Sequence, residues 1–289
     1  TKLPLVLWAC VIVVLGTSSA YQFANLLDTS REIESIKDVT IQMLTCRRHE
    51  KDFINRNDKQ YVEKHRQAFE KLRLASHELG ELGTTSELTK GLLSYKAHFA
   101  NIVYATEEIG LTENDGLRGS LRSAIHEVEA ALQNADNGDF EQMLSCRRFE
   151  KDFLIRKDQR SYERFSASVD RFLSEASTAP NSFLLYDGIL RYRQAFDGLV
   201  QKTRFIGVDQ SSGIRKELRE SIQTVEAKLL TLSERAKTDH DENEHRANML
   251  AGLVSAILLV SLGLVIKLGR VNKLLTAQSR DDRDAETTS

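Results

Sequence analysis

A segment of sixteen residues occurs twice in this chain, and this duplication constrains the fold more than any other feature. Residues 43–58 read MLTCRRHEKDFINRND and residues 143–158 read MLSCRRFEKDFLIRKD, so eleven of the sixteen positions are identical without a gap. The match continues downstream at an offset of 97, where Tyr95 aligns with Tyr192. Such self-similarity over a long stretch indicates two related units in tandem.

Helix-breaking residues are sparse and divide the chain into long segments. The sequence has 15 glycines and 2 prolines, and none of them lies between Thr17 and Leu79. This spacing predicts one helix of about 60 residues, roughly 90 Å long. The remaining breakers predict five more helices, at about 86–109, from the capping residues 112–115 to 137, 139–178, 181–206 and from 213 onward.

The even number of helices suggests how they pack. If every joint reverses the chain, both ends return to the same side. We therefore expect an all-α fold without a β-sheet, made of two four-helix bundles stacked end to end. The first and the fourth predicted helices would be shared by both bundles.

Two uncharged segments flank the duplicated region. Residues 249–266 contain no charged side chain and as a helix would be about 27 Å long, close to the ~30 Å hydrocarbon core of a bilayer. Residues 3–20 are also uncharged and form a candidate first span. Because Ser18, Ser19 and Ala20 are small, this first segment also suits a cleaved signal peptide, and that alternative stays open.

Basic residues at the outer flanks predict the orientation. Lys2 precedes the first apolar segment, and Lys267 and Arg270 follow the second. Positive residues stay on the cytoplasmic side of a membrane. We expect a bacterial inner-membrane protein with spans at residues 3–20 and 247–268, a periplasmic domain at 21–246, and a short, disordered cytoplasmic tail at 269–289.

Composition and motifs exclude several functions. The 40 Lys and Arg nearly balance the 42 Asp and Glu, so the charge gives no reason to expect nucleic-acid binding. The sequence contains no HExxH, GxSxG or phosphate-binding loop, and we expect neither an enzyme nor a metal or cofactor. Cys46 and Cys146 fall in different units, so we expect two unbonded, buried thiols rather than a disulfide.

Charged residues fall within the apolar face of the duplicated helix. At 100° per residue, Arg47 and Glu50 lie in the arc that contains Met43, and Arg147 and Glu150 repeat the pattern. One interpretation is a structural ion pair at spacing i, i+3. The other is that the guanidinium also receives a carboxylate ligand through bidentate hydrogen bonds.

The shared-helix topology predicts neighbours for each arginine. The first would lie in the inner, membrane-proximal bundle near the fifth predicted helix, and the second in the outer bundle near the second helix. Tyrosines on those helices suit a polar pocket as well as an ordinary helix interface. The candidate ligand-binding residues are Arg47, Arg48, Tyr192 and Arg193 in the inner bundle, and Arg147, Arg148, Tyr95 and His98 in the outer bundle.

The doubled motif RRHEKDF-x-x-R-x-D-x-x-Y, from Arg47 to Tyr61, together with the flanking apolar segments, resembles the helical bimodular (HBM) sensor domain of bacterial chemoreceptors, the methyl-accepting chemotaxis proteins, and related kinases. The resemblance implies a homodimer for chemotaxis-like signal transduction. It also implies that each module can bind a small organic acid, such as a tricarboxylic-acid-cycle intermediate or acetate, with Arg47 and Arg48 in the inner site and Arg147 and Arg148 in the outer.

The sequence departs from the family pattern after the second apolar segment. Members usually continue into a HAMP linker and a signalling module, whereas only residues 269–289 follow here. Either the chain is a fragment or it acts through a partner. The rival hypothesis is a membrane-anchored helical scaffold or assembly protein without a small ligand, and an open polar pocket near either arginine would distinguish the two.

Overall fold

The computed structural model describes residues 3–81, 86–134, 140–178 and 183–286. Within these ranges the regular secondary structure is entirely helical, without a strand. The prediction of an all-α fold is therefore confirmed.

Eight helices form in the described part of the chain. The ends at Ile109 and Ile206 coincide with the predicted ones, because a glycine with positive φ follows each of them. The helices are α1 (Leu3–Arg56), α2 (Gln60–Glu81), α3 (Ser86–Ile109), α4 (Gly116–Gln133), α5 (Glu141–Arg156), α6 (Gln159–Thr178), α7 (Phe183–Ile206) and α8 (Gly213–Glu286).

The prediction that two long helices run through both bundles is wrong. The first ends at Arg56 and α2 begins at Gln60, so the stretch from Thr17 to Leu79 is not one helix. The predicted helix over 139–178 likewise divides into α5 and α6. The duplicated motif therefore ends in a helix break in both copies.

Each break has the same local cause. In the first copy, Asn57 adopts a left-handed φ of 52°, and its amide donates to the carbonyl of Phe53 at 2.8 Å. Asp58 then caps the next helix, since its Oδ1 accepts from the amide of Gln60 at 2.9 Å. Asparagine tolerates the left-handed region better than most residues, so it ends α1 without a glycine.

The second copy repeats this arrangement and reverses the chain. Lys157 has a φ of 56°, and Asp158 accepts from the amide of Ser161 at 2.7 Å. Beyond the break, α6 runs back along α5, because Cys146 Sγ lies 3.3 Å from Ser168 Oγ. These two residues would be far apart on a continuous helix.

The left-handed lysine provides a stability prediction. Because a side chain at positive φ costs about 1 kcal/mol or more, we expect Lys157→Gly to raise the free energy of unfolding by about 1 kcal/mol. Arg164→Gly, at an exposed position inside α6, should lower it by about the same amount. Urea unfolding followed by circular dichroism measures both, and a destabilised Lys157→Gly would contradict the assignment of the turn.

The chain divides into two compact units, Lys37–Leu230 and the pair of segments Thr1–Ile36 and Thr231–Ser289. In the first unit, α4 packs on α7 and α5 on α6, while α3 contacts α2, α4 and α7. A cluster of buried apolar side chains, including Phe153, Phe165 and Phe196, fills the space among α4, α5, α6 and α7. In the second unit, Thr29 Oγ1 lies 3.2 Å from His240 Nδ1.

One helix among the described residues is long and apolar enough to cross a membrane. It is α8, whose most apolar window has a mean hydropathy of 2.6 and contains no buried residue. The other predicted span, residues 3–20, is helical as part of α1, but several of its side chains lie outside the described residues. The expectation of a disordered tail is wrong for residues 269–286, which continue α8.

Candidate ligand-binding site

A buried carboxylate lies at the centre of the first copy of the motif. Glu50 on α1 is 8% exposed and accepts a hydrogen bond from the Tyr95 hydroxyl on α3 at 2.9 Å. The Nε2 of His65, on α2, lies 3.2 Å from the same hydroxyl. With the hydroxyl proton directed at Glu50, the His65 ring donates to the hydroxyl oxygen, so three helices are joined by one chain of hydrogen bonds.

The second copy builds a related but different arrangement. Glu150 is 3% exposed and accepts from the Tyr192 hydroxyl at 2.6 Å. Arg147 lies 3.3 Å from the same carboxylate oxygen. The position equivalent to the buried histidine is Phe165, whose ring packs against Tyr192 with centroids 5.4 Å apart. An arginine thus contacts the carboxylate directly here, which confirms the predicted i, i+3 pair in this copy.

The predicted i, i+3 pair is wrong in the first copy. Arg47 forms its ion pair with Glu226 of α8 rather than with Glu50. Its side chain is 25% exposed, so it lies at the surface of the core and not within it. Arg48 and Arg148, both candidate ligand-binding residues, are exposed, and Arg148 lies 4.7 Å from the centroid of the Phe149 ring.

The predicted tyrosine neighbours are exchanged between the two copies. Tyr95 contacts Glu50 of the first motif, and Tyr192 contacts Glu150 of the second. The helix break at Asn57 is the reason, because it folds α2 and α3 back against the motif that precedes them. The structure therefore does not bring Tyr192 to Arg47, nor Tyr95 to Arg147.

The two remaining candidates are also placed differently from the prediction. Arg193 forms an ion pair with Asp170 at 2.5 Å and lies 3.8 Å from Asp197, both in the second copy. His98, in the first copy, lies with Nδ1 3.4 Å from Glu217 of α8. The structure therefore does not bring Arg193 to Arg47, nor His98 to Arg147, as the prediction had grouped them.

Burial shifts the proton affinities of the first-copy network. Loss of water raises the pKa of Glu50, and the hydrogen bond from Tyr95 and the charge of Arg47 oppose that shift. Burial lowers the pKa of His65 to about 3, with smaller contributions from the charges of His49 and Lys96. The imidazole is therefore neutral at physiological pH and donates to Tyr95 from a protonated Nε2.

The thiols of Cys46 and Cys146 are both free and buried. Burial raises the pKa of Cys46 to about 12 and that of Cys146 to about 11. A thiol with such a pKa is a poor nucleophile, which fits the expectation of two packed, unreactive side chains.

A cavity of about 260 Å³ opens beside Arg47, between α1 and the start of α8. We name it the Arg47 cavity. Its lining includes four cationic side chains and one buried carboxylate. Three of the cationic residues were missed by the sequence reasoning, since they lie on α1 one turn beyond the arginine or on the distant α8. The charged lining residues are Arg47, Glu50, Lys51, Arg215 and Arg219.

The two copies of the repeat differ at the rim of this cavity. In the first copy, Arg122 forms an ion pair with Glu113 at 2.7 Å. The equivalent positions in the second copy are Arg219 and Gln210, and within the described residues Arg219 has no carboxylate within 4.0 Å. Replacement of the acidic residue by glutamine thus leaves the Arg47 cavity with an uncompensated positive charge.

No protein-family model and no curated protein matches the chain. What the chain does is therefore inferred from the chemistry of its own residues.

Proposed function

We propose that this chain is the ligand-sensing portion of a bacterial transmembrane receptor and that the Arg47 cavity binds a small organic acid in the periplasm. The observation that carries the proposal is the cluster of four cationic side chains around a cavity of about 260 Å³. Guanidinium groups hold carboxylates through paired, charge-assisted hydrogen bonds. A buried Glu50 in the same lining would favour an acid that also offers a hydroxyl or a protonated oxygen to it.

The arrangement we propose for the periplasmic domain is two four-helix modules. The first would contain the end of α1, α2, α3 and the start of α8, and the second α4 to α7. An ion pair of 3.0 Å between Glu87 and Lys228 supports the grouping of α3 with α8. The buried cluster contributed by α4, α5, α6 and α7 supports the second module.

Signal transfer in this proposal uses α8. Arg215 and Arg219 lie near the start of this helix, and the apolar stretch 249–266 lies further along it. A carboxylate that draws the two arginines toward α1 would shift or rotate α8 by a small amount. The remaining parts of the proposal are a first span at residues 3–20 and a homodimer, for which the exposed Ile41 and Leu44 offer an apolar face.

One observation favours the rival, a membrane-anchored helical scaffold without a small ligand. Arg47 already has a carboxylate partner in Glu226, so its own charge is neutralised. In that case the remaining cations of the cavity would only be solvated surface residues.

A binding experiment separates the two hypotheses. Titration of the full chain in detergent with a panel of two- to six-carbon carboxylic acids should show saturable heat for at least one acid. Arg219→Gln should weaken that binding by about tenfold, because it removes one charge-assisted hydrogen bond donor. Arg122→Gln, the matched change at the equivalent position of the repeat, should leave the affinity within about twofold.

A second substitution tests whether binding needs the planar guanidinium of Arg47 and not only its charge. Arg47→Lys keeps the positive charge and loses the planar fork, so the affinity for the same acid should fall by about tenfold. The Glu226 pair can persist with lysine, which protects the fold. If no acid in the panel binds, or if both substitutions bind as tightly as the wild type, the scaffold hypothesis replaces the sensor.

A further inference from the structure

A second cavity, of about 170 Å³, lies where the two copies of the repeat meet. We name it the midline cavity, because equivalent positions of the two copies line it in pairs. Arg118 pairs with Arg215 and Thr106 with Thr203, each at the repeat offset of 97, and Lys157 is the equivalent of Asn57. We propose that the midline cavity binds a small divalent oxyanion, held by one arginine from each copy.

The charge of the lining supports an anion. Arg118, Lys157 and Arg215 line the cavity, and no aspartate or glutamate is among the described residues of its lining. Within the described part of the chain, neither arginine has a carboxylate within 4.0 Å. Three cationic groups around one small cavity repel each other unless an anion or solvent lies between them, so a divalent ion suits the site better than a monovalent one.

The threonine hydroxyl groups and the volume of the cavity limit which ligands can bind there. Thr106 already donates its hydroxyl to the carbonyl of Ile102 at 2.7 Å. Thr203 forms no side-chain hydrogen bond within the described residues, so its hydroxyl can donate to a bound oxygen. A volume of about 170 Å³ holds a phosphate or a three-carbon dicarboxylate with a few water molecules, each of which occupies ~30 Å³.

The midline cavity is physically connected to the Arg47 cavity through shared residues. Arg215 and Ile54 line both. A divalent anion that holds Arg215 in the midline cavity would withdraw it from the Arg47 cavity and weaken binding there, and the reverse effect must be equal. This coupling rests on the proposed function, whereas anion binding in the midline cavity does not.

The test uses inorganic phosphate and malonate as separate probes. Each is titrated calorimetrically into the full chain in detergent, with sodium chloride added to keep the ionic strength constant. Arg118→Gln changes the midline cavity alone, and Arg219→Gln changes the Arg47 cavity alone. We expect at least one probe to bind, about tenfold more weakly to Arg118→Gln and with unchanged affinity to Arg219→Gln.

Each other outcome has a defined meaning. Absence of binding by both probes, or equal affinity of the wild type and Arg118→Gln, overturns the midline site. Loss of binding in Arg219→Gln alone places the anion in the Arg47 cavity, which overturns the midline site and leaves the proposed function standing. Should Arg118→Gln fail to fold by circular dichroism, Arg118→Lys replaces it, and the fork-deficient lysine is expected to weaken binding severalfold.

Discussion

Gly207→Ala is expected to lower the free energy of unfolding by about 3 kcal/mol, the upper end of the range for a strained backbone position. Gly207 ends α7 with a φ of 102°, a conformation that alanine rarely adopts. An added Cβ would lie 2.0 Å from the carbonyl oxygen of Ser212 and 2.7 Å from its carbon. These are backbone atoms of the same loop, so no side-chain rotation can relieve the overlap.

The measurement is thermal unfolding followed by circular dichroism. For a domain of this size, 3 kcal/mol corresponds to a decrease in Tm of about 10 °C. Gln210→Ala is the matched control, because it lies in the same loop and is exposed, and its effect should stay within about 0.5 kcal/mol. Equal midpoints for Gly207→Ala and wild type would show that the loop between α7 and α8 is not built as described.

His65→Phe should remove much of the acid sensitivity of the fold. The folded protein holds the pKa of His65 at about 3, against an ordinary value of 6.5. Between these values the unfolded chain binds the proton and the folded chain does not, so stability falls as the pH falls through this window. The slope is about 1.4 kcal/mol per pH unit, and the loss at pH 5 is therefore about 2 kcal/mol.

Phenylalanine fits this position, because Phe165 occupies its equivalent in the second copy and is fully buried. We compare the free energy of unfolding of His65→Phe with that of wild type at each pH. This difference should favour the variant by about 2 kcal/mol more at pH 5 than at pH 7.5. Glu50 has a raised pKa and changes stability in the opposite direction, so the two proteins are compared at each pH. Urea unfolding between pH 4.5 and 8 measures the difference.

The reciprocal substitution is the control. Phe165→His puts an imidazole into the second buried cluster. The free energy of unfolding of this variant should fall more steeply with falling pH than that of wild type, because phenylalanine does not titrate. If His65→Phe keeps the wild-type dependence on pH, the buried imidazole does not cause it.

Helix ends marked by glycine could be predicted from the sequence. Helix ends formed by other residues could not be predicted in the same way. Gly110 and Gly207, with positive φ, end α3 and α7 as expected. At Asn57 and Lys157 the same left-handed conformation occurs without glycine, and the pattern of breakers could not reveal it. The aspartate that follows each, Asp58 or Asp158, is a helix cap that appears in both copies and was an available signal.

Because the helix breaks at Asn57 and Lys157 were not predicted, parts of the site were misplaced. The helical angles correctly predicted that Glu50 and Glu150 face the core, where both are buried. Their tyrosine partners depended on the direction of the following helix, and so were exchanged. The pairing of Arg47 with Glu226 joins residues 179 positions apart, a distance over which no local pattern carries information.

Glu113 acts on Arg122 as an internal counterpart of a bound acid. In our proposal, an incoming acid would place its carboxylate on Arg219 much as Glu113 places its own on Arg122. The Arg122–Glu113 pair would thus show, within the same molecule, the charge-balanced state that Arg219 reaches only when a ligand binds. Gln210→Glu would supply Arg219 with the same internal carboxylate, and so hold the sensor in its occupied form without any added acid.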